Sequence, residues 1–103
     1  MSAVHYSGKP GNNDGNVMVH EGFRDTTLHH DVRHSPDGFS WGYGGSGPAE
    51  LARCLLLDAT GTDTGYQQFK FDVVARWPMD EGWTYTREQV RAWQKAYLEV
   101  MAR

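Results

Sequence analysis

Apolar and polar residues alternate in the first part of the chain. In Asn16–Gly22, two valines alternate with polar neighbours, which is the pattern of a strand with one buried face. The segment Val4–Gly8 precedes it, and the turn-rich tract Lys9–Gly15 between them ends in an Asp-Gly pair that favours a tight turn. This arrangement predicts a β-hairpin, and a third strand is predicted over Thr26–Val32.

A helix is predicted after the glycine-rich middle of the chain. Pro48 suits the first helical position, with Gly47 as the N-cap and Glu50 in the first turn, where a negative charge is favourable. Ala49–Leu57 is apolar nearly all round, which indicates a buried helix. The helix is expected to end near Gly61.

Two further segments have helical character. Tyr66–Trp77 fits both a strand alternation and a helical stripe, and its length favours a helix that ends before Pro78. Thr86 and Gln89 match a capping box, which predicts a last helix over Arg87–Ala102. One apolar face of that helix is formed by Val90, Trp93, Tyr97 and Met101.

These elements predict an α+β fold. A chain of 103 residues with 39% hydrophobic and 22% charged residues fits a single globular domain with one core, spanning residues 1–103. We expect a small N-terminal antiparallel sheet packed against two or three helices. The predicted core residues are Val17, Val19, Phe39, Leu51, Leu55, Phe69, Val73, Val90, Trp93 and Tyr97.

Charge and apolar content exclude several classes of protein. The net charge of −3 arises in residues 1–51, which hold three basic and six acidic groups, so nucleic acid is not an expected partner. The longest apolar run, Cys54–Leu57, is far too short to cross a membrane. The first residues lack the pattern of a secretory signal, and a cytoplasmic location is expected.

The segment Phe39–Pro48 is the best candidate for a binding site. Its glycines free the backbone for left-handed conformations, and a helix N-terminus that attracts anions follows directly. No lysine followed by Ser or Thr ends the segment, so an ATP-hydrolysing phosphate loop is not expected. Two interpretations stay open: a loop that only lets the helix enter the core, or a loop that binds a ligand or partner. The candidate binding residues are His34, Trp41, Tyr43, Gly44, Gly45, Ser46 and Gly47.

The roles within this candidate site differ. Gly44–Gly47 would form an anion-binding nest to which Ser46 adds its hydroxyl. Trp41 or Tyr43 would stack on a base or a sugar. His34 would hydrogen-bond the turn that presents the loop.

The motif His34–Ala52 resembles the signature of a family of small uncharacterised proteins of bacteria, haloarchaea, plasmids and phages. Other blocks of the chain are similar to that family too: Tyr6 and Gly8 in the first strand, Tyr66–Lys70, Val73–Arg76 and Trp83–Thr86. The resemblance implies no catalytic activity and no catalytic residues. It does imply a genetic context, since small genes of mobile elements often encode inhibitors of host defence systems.

Two polar clusters are secondary binding candidates. His29, His30 and Asp31 offer metal-ligand atoms, but Ser35-Pro36 disfavours the helix that would align them, and neither a metal nor a cofactor is expected. On the last helix, Arg87, Arg91 and Lys95 recur at four-residue steps, which suits either contact with phosphates or an ordinary solvated face.

Neither Cys54 nor Ser46 is predicted to be a nucleophile. Cys54 lies within the apolar helix and is interpreted as a core residue, since catalytic cysteines need an accessible electropositive site. Ser46 lacks the glycine spacing of a nucleophile elbow.

Three functions are consistent with the sequence. The first is a non-enzymatic protein that blocks a host defence complex, such as a CRISPR effector. The second is a binder of a small phosphorylated ligand or nucleotide through the glycine-rich loop. The third, ranked last, is an enzyme whose site the sequence does not show.

Overall fold

A computed structural model describes residues 3–10, 16–34 and 38–103. The predicted Asp-Gly turn and Ser35-Pro36 lie outside the described residues. The fold is α+β, as predicted: four antiparallel strands form one sheet in the order β3-β2-β1-β4, and helices pack against it. The strands are β1 (Val4–Gly8), β2 (Val17–Glu21), β3 (Arg24–Thr27) and β4 (Trp83–Thr86).

The hairpin of β1 and β2 is confirmed and sets the two faces of the sheet. Tyr6 lies opposite Val19, and both side chains are buried on the inner face. His5 lies opposite His20 on the outer face, which no helix covers and where no described side chain is fully buried. Directly paired residues point to the same side of a sheet, so this register fixes the residues that share the open face.

Two strands differ from the sequence prediction. The third strand is Arg24–Thr27 rather than Thr26–Val32; all four of its residues are exposed, so its edge position leaves no buried alternation to detect. Strand β4 was not predicted, because its four residues pair with β1 across most of the chain length.

The first helix, α1 (Ser46–Thr60), begins two residues earlier than predicted. Its N-cap is Gly45 rather than Gly47, which places Pro48 at the third helical position, still where its missing amide proton is harmless. Glu50 therefore lies beyond the first turn. The end of the helix at Gly61 is confirmed; this glycine adopts a φ of 83° in the left-handed region that glycine favours.

The second and third helices follow the predicted segments. Tyr66–Trp77 is a helix only over α2 (Tyr66–Asp72), followed by a 3₁₀ turn at Val74–Arg76. The last helix is α3 (Arg87–Met101), and its capping box is present as predicted. None of the helices in the described part of the chain is long and apolar enough to cross a membrane.

The core lies between the inner face of the sheet and α1. Seven of the ten predicted core residues are buried. The other three are only half-buried: Val73 lies at the end of α2, and Trp93 and Tyr97 on α3 turn their aromatic side chains partly to solvent. Met101, at the end of the predicted apolar face, is exposed.

Candidate functional site

The glycines of the Phe39–Pro48 loop mainly allow close packing. Among the described glycines of this loop, only Gly42 has a positive φ, at 89°. Gly44, Gly45 and Gly47 do not adopt the left-handed conformation that the sequence suggested. A Cβ on Gly42 would lie 2.7 Å from the Met79 Cα, so the backbone of the Pro78 region packs directly on this glycine.

Two side chains of the loop itself cover the beginning of α1. A Cβ on Gly45 would collide with the Tyr43 ring, and one on Gly47 would collide with the Ser40 hydroxyl. The Tyr43 and Ser40 hydroxyl oxygens are 3.0 Å apart and hydrogen-bonded. Tyr43 and Ser40 therefore pack against the backbone at the beginning of α1.

Trp41 does not stack on a ligand, which corrects its predicted role. Its side chain is only 3% exposed and packs edge-on against Trp83. The indole N–H donates to the carbonyl oxygens of Pro78 and Glu81, each at 3.0 Å. Trp41 thus holds the Pro78–Glu81 turn beside the glycine loop.

Three large apolar side chains surround the glycine loop on its outer side. Tyr43, Phe71 and Met79 are 44%, 54% and 55% exposed. A Cβ on Gly44 would lie 3.3 Å from Phe71, so this ring lies close over the loop backbone. We call Tyr43, Phe71 and Met79 the apolar patch.

Lys70 supports this patch from below. Its side chain is buried, and its Nζ donates to the Gly44 carbonyl oxygen at 3.1 Å. The same Nζ lies 4.1 Å from the centroid of the Phe71 ring, within the range of a cation–π interaction. The Lys70 ammonium group therefore contacts both the loop backbone and the Phe71 ring of the patch.

Glu50 holds the segment before the loop in place. Its fully buried carboxylate accepts hydrogen bonds from the backbone amides of Arg33 and His34, at 2.9 and 3.1 Å. His30 Nε2 lies 2.9 Å from the same carboxylate, and His34 Nε2 lies 2.8 Å from the Tyr66 hydroxyl. His34 therefore anchors its segment to α1 and α2, and the structure gives it an architectural role.

The His29–Asp31 segment is partly used in packing. Only His29 has an exposed side chain without a described contact, since His30 pairs with Glu50 and Asp31 forms an ion pair with the buried Arg53. The hydrogen bond from Arg53 lowers the pKa of Asp31. Among the described residues, no three His, Cys, Asp or Glu side chains are placed to hold a metal ion.

Cys54 is a core residue, in agreement with its interpretation from the sequence. Its Sγ lies 3.7 Å from the Asp31 carbonyl oxygen, and the residue is only 2% exposed. Burial raises the pKa of the thiol to about 11, which keeps it protonated at neutral pH.

Of the basic residues Arg87, Arg91 and Lys95 on the last helix, the two arginines contact other parts of the fold. Arg87 donates to the Tyr6 hydroxyl at 3.2 Å and forms an ion pair with Asp58 at 3.0 Å. Arg91 Nε donates to the Ala59 carbonyl oxygen at 2.6 Å. Two of the three predicted phosphate contacts thus fasten α3 to the rest of the fold, and Lys95 is exposed.

Sequence reasoning missed a polar cluster on the open face of the sheet. The Ser7 Oγ lies 2.7 Å from His20 Nε2, and His20 Nδ1 lies 2.7 Å from the Asp25 carboxylate. These residues belong to β1, β2 and β3 in turn. The detectable signal was the alternation of apolar and polar residues in β1 and β2, which places Ser7 and His20 on the face of the sheet away from the buried side chains.

Comparison with known proteins identifies the family only. Residues 6–96 match a family of unknown function (DUF6166), and the chain belongs to that family. No curated protein and no solved structure matches the chain. The family agrees with the resemblance noted in the sequence, while its signature and its spread among plasmids and phages stay predictions.

Proposed function

We propose that the protein acts by binding another protein through the apolar patch. The observation that carries this proposal is the exposure of Tyr43, Phe71 and Met79 around one glycine loop. Exposed apolar side chains gathered around one loop of a folded domain are typical of interaction sites. Rigid aromatic anchors of this kind supply most of the binding energy in protein interfaces.

The loop presents the patch in a fixed arrangement. Lys70 ties the Phe71 ring to the Gly44 carbonyl, and Trp41 ties the Pro78–Glu81 turn that carries Met79. Side chains that are ordered before binding lose less conformational entropy in a complex. The glycine loop is then the support of the binding surface, and its backbone is not the binding element itself.

The geometry supports a protein partner better than a phosphorylated ligand. The hydrogen-bonded pair of Tyr43 and Ser40 packs against the backbone at the beginning of α1, where a phosphate would bind. Trp41, one of the two predicted stacking residues, is buried. A protein surface would instead contact the exposed side of Tyr43.

The proposed partner is a host defence complex in the cytoplasm, with a CRISPR effector as the first target to test. The family resemblance supports this partner class, because small genes of mobile elements often encode inhibitors of host defence systems. Binding alone would be sufficient for inhibition if the patch covers a working surface of the target.

The test compares two exposed phenylalanines. Phe71 belongs to the patch, whereas Phe23 lies in the turn between β2 and β3. Phe71→Ser and Phe23→Ser remove the same ring from the surface, so they are a matched pair. We expect Phe71→Ser to weaken binding to a purified CRISPR effector at least ~10-fold, as loss of an interface anchor does, and Phe23→Ser to bind as the wild type.

Three results would contradict the proposal. Equal affinities for the wild type and both variants would remove the patch from the interface. If only Phe23→Ser weakened binding, the binding site would lie at the turn between β2 and β3 instead. Absence of binding by the wild type across a panel of purified defence complexes would exclude the proposed partner class. Melting temperatures of all variants, measured in parallel, show whether each remains folded.

A further inference from the structure

Ser7, His20 and Asp25 form a hydrogen-bonded chain across three strands. His20 is paired directly with Asp25 in the register, and Ser7 lies diagonally from His20 on the neighbouring strand. The Ser7–His20 and His20–Asp25 contacts are both 2.7 Å. The strand register itself therefore aligns a hydroxyl, an imidazole and a carboxylate in sequence.

The identity of the contacting nitrogens fixes the direction of proton transfer. An ionised carboxylate only accepts hydrogen bonds, so the His20 nitrogen that faces Asp25, Nδ1, must carry the proton. The neutral imidazole then has a lone pair on Nε2, which accepts the Ser7 hydroxyl proton. This is the order of contacts in serine hydrolases, where the carboxylate orients the histidine that deprotonates the serine.

Ser7 is partly exposed, and the neighbours of this cluster hold His20 in place. The His5 ring stacks on the His20 ring, with centroids 4.5 Å apart and an interplanar angle of 22°. Met18 and Thr84 lie directly opposite Ser7 on the two neighbouring strands. Met18 offers an apolar contact for an acyl group, and the exposed Thr84 hydroxyl is a donor on the same face.

From this geometry we propose that Ser7 is a nucleophile that His20 activates, and that it takes acyl groups from small activated esters. The Ser7 Oγ forms a bond to the ester carbonyl carbon while its proton moves to His20 Nε2. The ester C–O bond breaks, and His20 returns that proton to the leaving oxygen. Water then attacks the acyl-serine, His20 accepts the water proton, and the carboxylic acid leaves as Ser7 recovers its hydrogen.

Asp25 acts as a positioning residue in this scheme. It touches neither Ser7 nor the ester, and its effect passes through the tautomer and orientation of His20. The open face lies on the side of the sheet opposite to the core, so this activity is independent of binding through the apolar patch.

The experiment uses p-nitrophenyl acetate with the full chain. We expect release of p-nitrophenol together with an acetyl group on Ser7, located by mass spectrometry of the digested protein. His20→Ala should lower the acylation rate by ~10²-fold or more, the range for loss of a general base. Asp25→Asn should lower it by less, and Asp25→Glu, which keeps the carboxylate, should restore part of the loss.

Two controls make the outcome decisive. His29→Gln removes an exposed histidine outside the sheet and should leave the rate unchanged. Ser40 and Ser46 in the same digest report how an ordinary serine of this protein reacts. If Ser7 is acetylated no faster than these two serines, or equally fast in His20→Ala, the proposal is wrong. Circular dichroism of each variant shows whether the sheet is intact. If a folded Ser7→Ala variant still forms acetyl-serine at the wild-type rate, another serine carries the acetyl group and the proposal is wrong.

Discussion

The glycine loop and the open face of the sheet contrast in what their sequences suggest and in what the structure provides. The loop has the most specific motif of the chain, yet Tyr43 and Ser40 close it over the beginning of α1. The open face has no local motif, yet the strand register brings Ser7, His20 and Asp25 into contact. The glycines of the conspicuous segment thus allow close packing, and the segment without a motif holds a hydrogen-bonded row of hydroxyl, imidazole and carboxylate.

This difference has a physical basis. Glycines are required wherever two backbones approach closely, and a motif rich in glycine reports crowding as readily as ligand binding. A hydrogen-bonded side-chain cluster on a sheet requires only polar residues at alternate positions, which any solvated strand also has. A strong motif therefore indicates that the backbone is crowded at that point. Whether polar side chains come into contact on a sheet depends on which strands are paired.

The largest loss of stability is expected at Glu50, the buried residue of α1 that holds the segment before the glycine loop. Glu50→Ala would leave the amides of Arg33 and His34 without their acceptor and would remove one of the carboxylates beside the buried Arg53. Removing one member of a buried charged network costs ~3–5 kcal/mol. Chemical denaturation should show this loss of unfolding free energy.

Glu99→Ala is the matched control for Glu50→Ala. Glu99 is exposed on α3, and its loss should change the unfolding free energy by less than ~0.5 kcal/mol. If the two alanine variants were equally stable, the loop region would not depend on Glu50 for its architecture, and the contrast with the open face would weaken.

A smaller loss is expected at Gly42, the glycine with a positive φ in the loop. An alanine there costs ~1–2 kcal/mol for the left-handed conformation alone, and its Cβ would also press on the Met79 backbone. We expect Gly42→Ala to lose about 2 kcal/mol or more of unfolding free energy. Gly44→Ala is the control: it has no positive φ, and the exposed Phe71 ring can move away, so its loss should be smaller. Equal losses at the two positions would contradict this interpretation.

The next comparison is between the buried thiol of Cys54 and the partly exposed hydroxyl of Ser7. Burial raises the pKa of the Cys54 thiol in the folded chain to about 11, from an ordinary value of 9.0. Between these values the unfolded chain releases the thiol proton while the folded chain keeps it, so stability falls as pH rises. We expect a loss of ~1–2 kcal/mol between pH 9 and pH 11.

Cys54→Ala should lack this part of the alkaline loss. Tyr6 also has a raised pKa because it is buried, so the informative quantity is the difference between the wild type and Cys54→Ala. At neutral pH the native thiol should not react with iodoacetamide. Rapid alkylation of the folded protein would show that α1 is more open than its packing indicates.

The elements that could be predicted from sequence are those with local determinants. The capping box of Thr86 and Gln89 and the stop at Gly61 depend on neighbouring residues, and both were correct. Strand β4 depends on pairing Gly8 with Trp83, which no local pattern reports. The buried role of Trp41 was missed for the same reason, since its hydrogen-bond acceptors are almost 40 residues away.

The candidate site was predictable to a similar, limited extent. The sequence pointed to the loop and to Tyr43, but the packing of the loop glycines depends on Met79 and Phe71, which come from other segments. The cluster of Ser7, His20 and Asp25 needed two strand registers at once. In both cases the side chains come together only in the folded chain, so the residues next to each of them in the sequence do not indicate the contact.

The smallest effect is expected at Ser46, and it separates the two interpretations of the loop. Ser46 is exposed at the first position of α1, and its side chain makes no capping hydrogen bond. With the loop closed by Tyr43, Ser46→Ala should change the unfolding free energy by less than ~0.5 kcal/mol. Inorganic phosphate and ATP at millimolar concentration should raise the melting temperature of neither the wild type nor the variant.

An anion-binding loop would give a different result. Phosphate would then stabilise the wild type by mass action, and loss of the Ser46 hydroxyl would weaken that binding by ~0.5–1.5 kcal/mol. Tyr43→Ala makes the comparison sharper, because it removes the ring that covers Gly45 and opens the beginning of the helix. If phosphate stabilises Tyr43→Ala but not the wild type, the anion site exists and its own aromatic ring closes it. A phosphate-dependent shift in the wild type that Ser46→Ala reduces would contradict the closed loop and restore the phosphorylated ligand as the partner.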